Sequence, residues 1–195
     1  MTEATVDRQW AVAELLGDAD VLVVTGLGNA ANDMAALTDQ GDHVFGMDGA
    51  MGAAVSVGLG LALAQPTRRV VVVTGDGELL MNLGALATVA VQRPANLAVL
   101  CLDNGVYGLT GDQATHTAHG ADLTAIAFGA GFPAATTVRV AGELGAAREL
   151  LLKDGLAFVR VVVAPGNTRY DALDRNGESI RLRFRRALAG DPRLG

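Results

Sequence analysis

Residues 70–105, VVVVTGDGELLMNLGALATVAVQRPANLAVLCLDNG, decide the fold. The stretch opens on Val70–Thr74 and closes on Leu97–Leu102, two runs that are apolar at nearly every position and not at alternate ones. Strands of that kind are covered on both faces, as in a parallel sheet packed between helices. Between them Leu79–Gln92 reads as one helix, apolar on nearly every face and so expected to be buried on several sides. A strand, a helix and a second strand make a right-handed βαβ unit, and the two strands are expected to lie side by side.

The same alternation runs outward in both directions. Further strands are predicted at Val21–Thr25, His43–Phe45, Thr136–Val140 and Ala157–Val163. Further helices are predicted at Val6–Leu16, Ala30–Thr38, Ala50–Ala64, Asp122–Ala130, Ala141–Lys153 and Glu178–Ala189. The predicted fold class is therefore α/β, a doubly wound, mostly parallel sheet with helices on both faces. One domain is expected over residues 1–195, with 168–195 forming a polar loop and a terminal helix of the same domain. Gly52, Gly58 and Gly60 each cost the helix Ala50–Ala64 about 1 kcal/mol relative to alanine. Their presence predicts close approach of a ligand or a backbone, tight packing on the sheet, or both.

Composition bounds the function. Half of the 195 residues are hydrophobic and 18% are charged, which is the balance of a folded chain. A net charge of −6 argues against a nucleic-acid partner, and Arg181, Arg183, Arg185 and Arg186 read as the wet face of the terminal helix. The lone Cys101 excludes a disulfide framework or an iron–sulfur cluster held by this chain alone, and its apolar setting predicts a buried, inert thiol. MTEATVDRQW has no apolar signal core, and the longest apolar stretch, Ala50–Ala64, is too short to span a bilayer. The expectation is a cytoplasmic protein with no membrane partner.

Ligands of open parallel sheets sit outside the carboxyl ends of the strands. Gly75-Asp76-Gly77 follows the first strand of the deciding stretch, and Asp103-Asn104-Gly105 follows the second. Asp76 and Asn104 at one sheet edge offer a carboxylate and an amide oxygen, hard ligands for magnesium or calcium. A helix starting near Leu79 offers free N–H groups to an anion such as a phosphate. Each tripeptide taken alone is also an ordinary turn. The spacing favours the site: twenty-six residues, one helix and one strand, separate Gly77 from Asn104.

That spacing is the thiamine diphosphate motif. Residues 75–113, GDGELLMNLGALATVAVQRPANLAVLCLDNGVYGLTGDQ, resemble the cofactor-binding domain of thiamine diphosphate-dependent 2-oxo acid decarboxylases and acetolactate synthases. The resemblance is strongest to the sulfopyruvate and phosphonopyruvate decarboxylases. It implies Mg2+ held by Asp76, Asn104 and the backbone carbonyl of Val106, with two diphosphate oxygens and a water completing the octahedron. Thr25–Asn29 resembles the loop that wraps the diphosphate, which brings in Gly26, Gly28 and Asn29. Gly49–Gly52 resembles the segment under the pyrimidine ring. There Gly49 offers a carbonyl to the 4′-amino group and Met51 is the apolar wedge that bends the cofactor; a core residue is the plain alternative for Met51. Gly75, Gly77, Glu78 and Tyr107 complete the implied contacts.

The loop departs from the family. Where those decarboxylases carry a Gly-Gly-Gln-Pro-Thr-like stretch, this chain has Gly111-Asp112-Gln113-Ala114-Thr115, and Asp112 adds a negative charge near the expected substrate end. His116 and His119 lie just beyond it. His116 is the candidate proton donor, since an imidazole titrates near neutrality, and an exposed bystander is the alternative. His43 reads as structural.

In this family the cofactor is activated by a glutamate bonded to the pyrimidine N1′, supplied by a separate pyrimidine-binding domain. None of Glu3, Glu14, Glu78, Glu143, Glu149 and Glu178 matches that position. The resemblance thus implies the β subunit of a heteromer. Its α subunit would carry the pyrimidine domain, with at least two such pairs assembled, and the substrate would be a small 2-oxo acid. The alternatives are a subunit of a carboligase or of a 2-oxo acid oxidoreductase, and a non-catalytic thiamine diphosphate-binding protein.

Overall fold

A computed structural model describes residues 6–167 and 174–189. Six strands lie in the order β2-β1-β3-β4-β8-β7, and every neighbouring pair is parallel. They are β1 (Leu22–Thr25), β2 (Val44–Gly46), β3 (Val70–Gly75), β4 (Leu97–Asp103), β7 (Ala135–Val138) and β8 (Ala157–Val162). Two short strands, β5 (Val106–Tyr107) and β6 (Gln113–Ala114), pair antiparallel in the loop after β4. Helices α1 (Arg8–Leu16), α2 (Asn29–Thr38), α3 (Ala54–Ala64), α4 (Asp76–Leu80), α5 (Gly84–Gln92), α6 (Leu123–Ala130), α7 (Leu144–Leu152) and α8 (Gly177–Ala189) complete the described elements. This is the doubly wound α/β fold the sequence predicts.

The uniformly apolar strands divide their side chains between two cores. Val71 and Val73 of β3 join Leu15, Met34 and Leu151 on one face, with α1, α2 and α7. Val70 and Val72 join Leu59, Leu86 and Leu123 on the other, with α3, α5 and α6. Cys101 lies in the second core with no exposed surface, and burial raises its thiol pKa. No helix among the described residues is long and apolar enough to cross a membrane.

Two helices differ from expectation. Gly49 and Gly52 both sit at φ +84°, in the left-handed region that glycine enters without strain, so the chain turns there and α3 begins only at Ala54. The predicted helix Leu79–Gln92 is two helices, α4 and α5, separated at Met81–Leu83. The Asn82 amide donates to the carbonyl of Gly52 at 3.1 Å, which ties this break to the turn before α3. Nor is the segment buried on several sides, because Met81 is 61% and Val91 79% exposed. On α8, Ile180 and Phe184 face inward and Phe184 meets Phe45 at 5.4 Å between ring centroids. Arg181 and Arg185 are exposed, whereas Arg183 turns partly inward toward Asp174. Of the expected C-terminal loop, residues 168–173 lie outside the described residues.

Candidate functional site

Strand β1 leads to β2 on one side, and β3 is laid against β1 on the other. The connections diverge there, which leaves a crevice at the carboxyl ends of β1 and β3. Gly26 leaves β1 with its N–H donated to Val73 at 2.8 Å, and Asp76 leaves β3 as the first residue of α4. A cleft of about 250 Å3 opens at this point. Gly28, Asn29, Met51, Gly75, Asp76, Gly77, Glu78, Asn104, Val106 and Tyr107 line it. The sequence thus brings ten of its expected contacts to one cavity.

Asp76 is 1% exposed. Its Oδ2 accepts from Thr115 Oγ1 at 2.5 Å and from Thr117 Oγ1 at 2.9 Å, and the backbone N–H of Gly77 also bonds to the carboxyl. Burial raises its carboxyl pKa, the Thr115 hydroxyl pulls it back, and the nearby charge of Asp103 raises it further. A buried carboxylate that burial disfavours in this way fits a nearby cation, which would reverse the balance. Asp103, at the end of β4, is withheld from such an ion because Arg160 holds its Oδ2 at 2.6 Å. Asn104 Oδ1 accepts from the Val106 N–H at 3.1 Å, which fixes the loop that presents both residues to the cleft. Among the described residues no group of three or more His, Cys, Asp or Glu forms a metal cluster. Asp76, Asn104 and Val106, which line the same cleft, would offer one carboxylate, one amide and one carbonyl, oxygen donors of the kind Mg2+ takes beside a bound phosphate.

Glu78 is also buried. Its Oε2 accepts from Thr74 Oγ1 at 3.0 Å, and a Cβ on Gly26 would fall 1.5 Å from that same oxygen. Any larger residue there would push the Glu78 carboxyl from its place. Burial lifts the Glu78 carboxyl to about 6, against the pull of Thr74 and the backbone N–H groups of Gly52 and Leu27. Glu78 therefore joins the loop after β1, the turn before α3 and the end of β3.

Three expected contacts do not line the cleft. Gly26 backs onto Glu78, Gly49 has open space around its Cα, and His116 is exposed in a 3-10 turn over His116–His119. Asn29 lines the cleft but donates to the carbonyl of Gly166 at 3.1 Å and to Asn167 Oδ1 at 3.2 Å. Asn167 in turn donates to the carbonyl of Gly108 at 2.8 Å, and so clasps the two lips together. His119 and Asp112 are exposed, and His43 is half-buried with its imidazole pKa lowered by burial.

Sequence reasoning did not single out Thr115, Thr117, Arg8 or Asn167. Arg8 lines the cleft and is bonded to Asp33 at 2.5 Å and to the carbonyl of Gly166 at 2.8 Å. Thr115 sits inside the loop stretch compared with the family, which was its one signal; the others gave none.

Comparison with known proteins decides the family. Residues 26–161 match the family described as thiamine pyrophosphate enzyme, C-terminal TPP binding domain. The chain belongs to the thiamine diphosphate enzymes. It is 43% identical over 171 residues to the sulfopyruvate decarboxylase subunit beta of Methanothermobacter thermautotrophicus, covering 88% of this chain and 89% of that one. It is 40% identical over 185 residues to the phosphonopyruvate decarboxylase of Streptomyces viridochromogenes, covering 93% of this chain but 45% of the relative. The crystal structure of benzoylformate decarboxylase from Polynucleobacter necessarius superposes with a TM-score of 0.68 at 18% identity, over 87% of this chain and 35% of that one, a likeness of fold.

Proposed function

We propose that this chain is the β subunit of a two-chain thiamine diphosphate- and Mg2+-dependent decarboxylase of a small 2-oxo acid. The observation that carries the reading is the convergence of Asp76, Asn104 and Val106, from two neighbouring strand ends, on one cleft at the switch point. In that cleft Asp76, Asn104 and the Val106 carbonyl hold the ion, and the backbone of Gly28 and Gly75–Gly77 borders the diphosphate. The cofactor, when bound, supplies the carbon nucleophile and the electron sink for decarboxylation. This chain's own residues bind and orient: Met51 stands as the wedge, and Gly28 and Gly75 admit the cofactor closely. His116 is kept as a proton donor that a partner or a loop movement must bring to the cleft.

The partner is supported from two sides. Among the described residues Glu78 is the one glutamate lining the cleft, and it accepts from Thr74 and is packed under Gly26. On this reading the acid for the pyrimidine comes from outside this domain, from an α subunit with the pyrimidine-binding domain. Met51 in the cleft lining and Met81, Val57, Leu63 and Val91 elsewhere on the turns and helices are exposed large apolar side chains. Such side chains are the kind that a partner covers. Coverage of 89% of a β subunit, against 45% of a phosphonopyruvate decarboxylase, supports the same division. Sulfonate- or phosphonate-bearing 2-oxo acids are the leading substrates.

The test is carbon dioxide release from a panel of 2-oxo acids, by the chain alone and after co-purification with the pyrimidine-domain chain. Release only by the pair, with a small anionic acid preferred, is the expected result. Ordinary turnover by the isolated chain would overturn the split site, and preference for bulky aromatic acids would overturn the substrate assignment.

A further inference from the structure

Thr115 and Thr117 come from the 3-10 turn after β6 and its preceding residue, nearly forty residues from Asp76. Thr115 is fully buried. Both hydroxyl oxygens lie on the same carboxylate oxygen of Asp76, Oδ2, at 2.5 and 2.9 Å, and they lie 2.8 Å from each other. The Thr117 hydroxyl also lies 2.8 Å from Oδ1 of Asp103, so its single proton serves two carboxylates. Arg160 and the Gly105 N–H, the latter at 3.1 Å, complete the setting of Asp103. The cluster ties β3, β4, β8 and the loop into one buried network.

Oδ2 already accepts both threonine hydroxyls, so an ion sharing it would have to displace one of them, and Oδ1 is the oxygen left to an ion. Asp76 is thereby restricted to binding through one oxygen. The two candidate ions differ on this point. Ca2+ takes six to eight oxygens at flexible geometry and often binds a carboxylate through both, whereas Mg2+ demands six at near-octahedral angles. We propose that Thr115 and Thr117 act as positioning residues that hold Asp76 to single-oxygen ligation, and so set the preference of the cofactor site for Mg2+ over Ca2+. The proposal rests on the reading that Asp76 ligates the ion.

Thr115→Val removes the hydroxyl and keeps the branched shape, including the methyl that stands 3.3 Å from where a Cβ on Gly77 would lie. Thr117→Val frees the same oxygen from a less buried position, and it serves if Thr115→Val does not fold. Thr115→Ser keeps the hydroxyl. The experiment is calorimetric titration of thiamine diphosphate into the full chain assembled with its partner, at graded Mg2+ or graded Ca2+. The readout is the ratio of the two half-saturating ion concentrations. Loss of a hydroxyl is expected to move that ratio about tenfold toward Ca2+, the scale on which outer partners tune metal sites. Thr115→Ser is expected to keep the wild-type ratio. A ratio unchanged in both valine variants, or shifted as far by serine as by valine, overturns the proposal while wild-type binding remains metal-dependent. Metal-independent binding by the wild type would instead overturn the ion site itself.

Discussion

Exchanging Glu78 for glutamine in the metal-free chain replaces a buried carboxyl by an uncharged group of the same shape. Burial raises that carboxyl from 4.5 to about 6, against the pull of the Thr74 hydroxyl and two backbone N–H groups. The folded chain therefore holds the proton more tightly than the unfolded one. The resulting stability is complete below the unfolded value of 4.5 and is lost as pH rises through 6. The distance from 4.5 to about 6, at 1.36 kcal/mol per pH unit, is about 2 kcal/mol. Glutamine carries no such dependence. The stability of Glu78→Gln relative to wild type should thus improve by about 2 kcal/mol between about pH 4 and about pH 8, or roughly 4–8 °C in melting temperature for a chain of this size. Any fixed cost of fitting the amide is the same at both ends and cancels, as does the titration of Asp76. Urea unfolding at a series of pH values, with chelator present, measures the difference. A difference that stays flat across pH, or that moves against glutamine, would refute the reasoning.

Two further substitutions follow from the site and its support. Met51→Ala in the assembled enzyme is expected to lower kcat far more than cofactor affinity, because a wedge acts on the geometry of the reacting centre; equal kcat in a steady-state assay returns Met51 to an apolar surface role. Gly58→Ala adds a methyl 2.2 Å from Val72 Cγ2, which should cost about 1–3 kcal/mol in overpacking and outweigh the helix gain of about 1 kcal/mol. Denaturant unfolding reads the sign directly, and a stabilised variant would show that α3 has room to move off the sheet.

The sheet was legible because its strands carry the simplest signal, unbroken β-branched runs such as Val70–Val73. Helix boundaries were less so. The break between α4 and α5 depends on Asn82 reaching Gly52, a contact thirty residues away that no local pattern contains. The proposed ion ligands could be picked out because Asp76 and Asn104 each follow a strand at a spacing set by one βαβ unit. What positions them could not. Thr115 and Thr117 read as ordinary loop residues until the chain returns them to Asp76, and Arg160 was not singled out within its predicted strand, where it meets Asp103. His116 shows the reverse: a residue type suited to proton transfer lies near the motif in sequence, yet its side chain is exposed outside the cleft.

The central claim is that this cleft binds thiamine diphosphate through an ion held by Asp76. Its most direct test is calorimetric titration of thiamine diphosphate, with Mg2+ present, into the wild-type assembly and into assemblies carrying Asp76→Ala or Asn104→Ala. The account predicts Mg2+-dependent binding by the wild type, a smaller loss for Asn104→Ala, and no measurable binding for Asp76→Ala, which removes the only charged protein ligand. Binding of the cofactor by Asp76→Ala as tightly as by the wild type would contradict it.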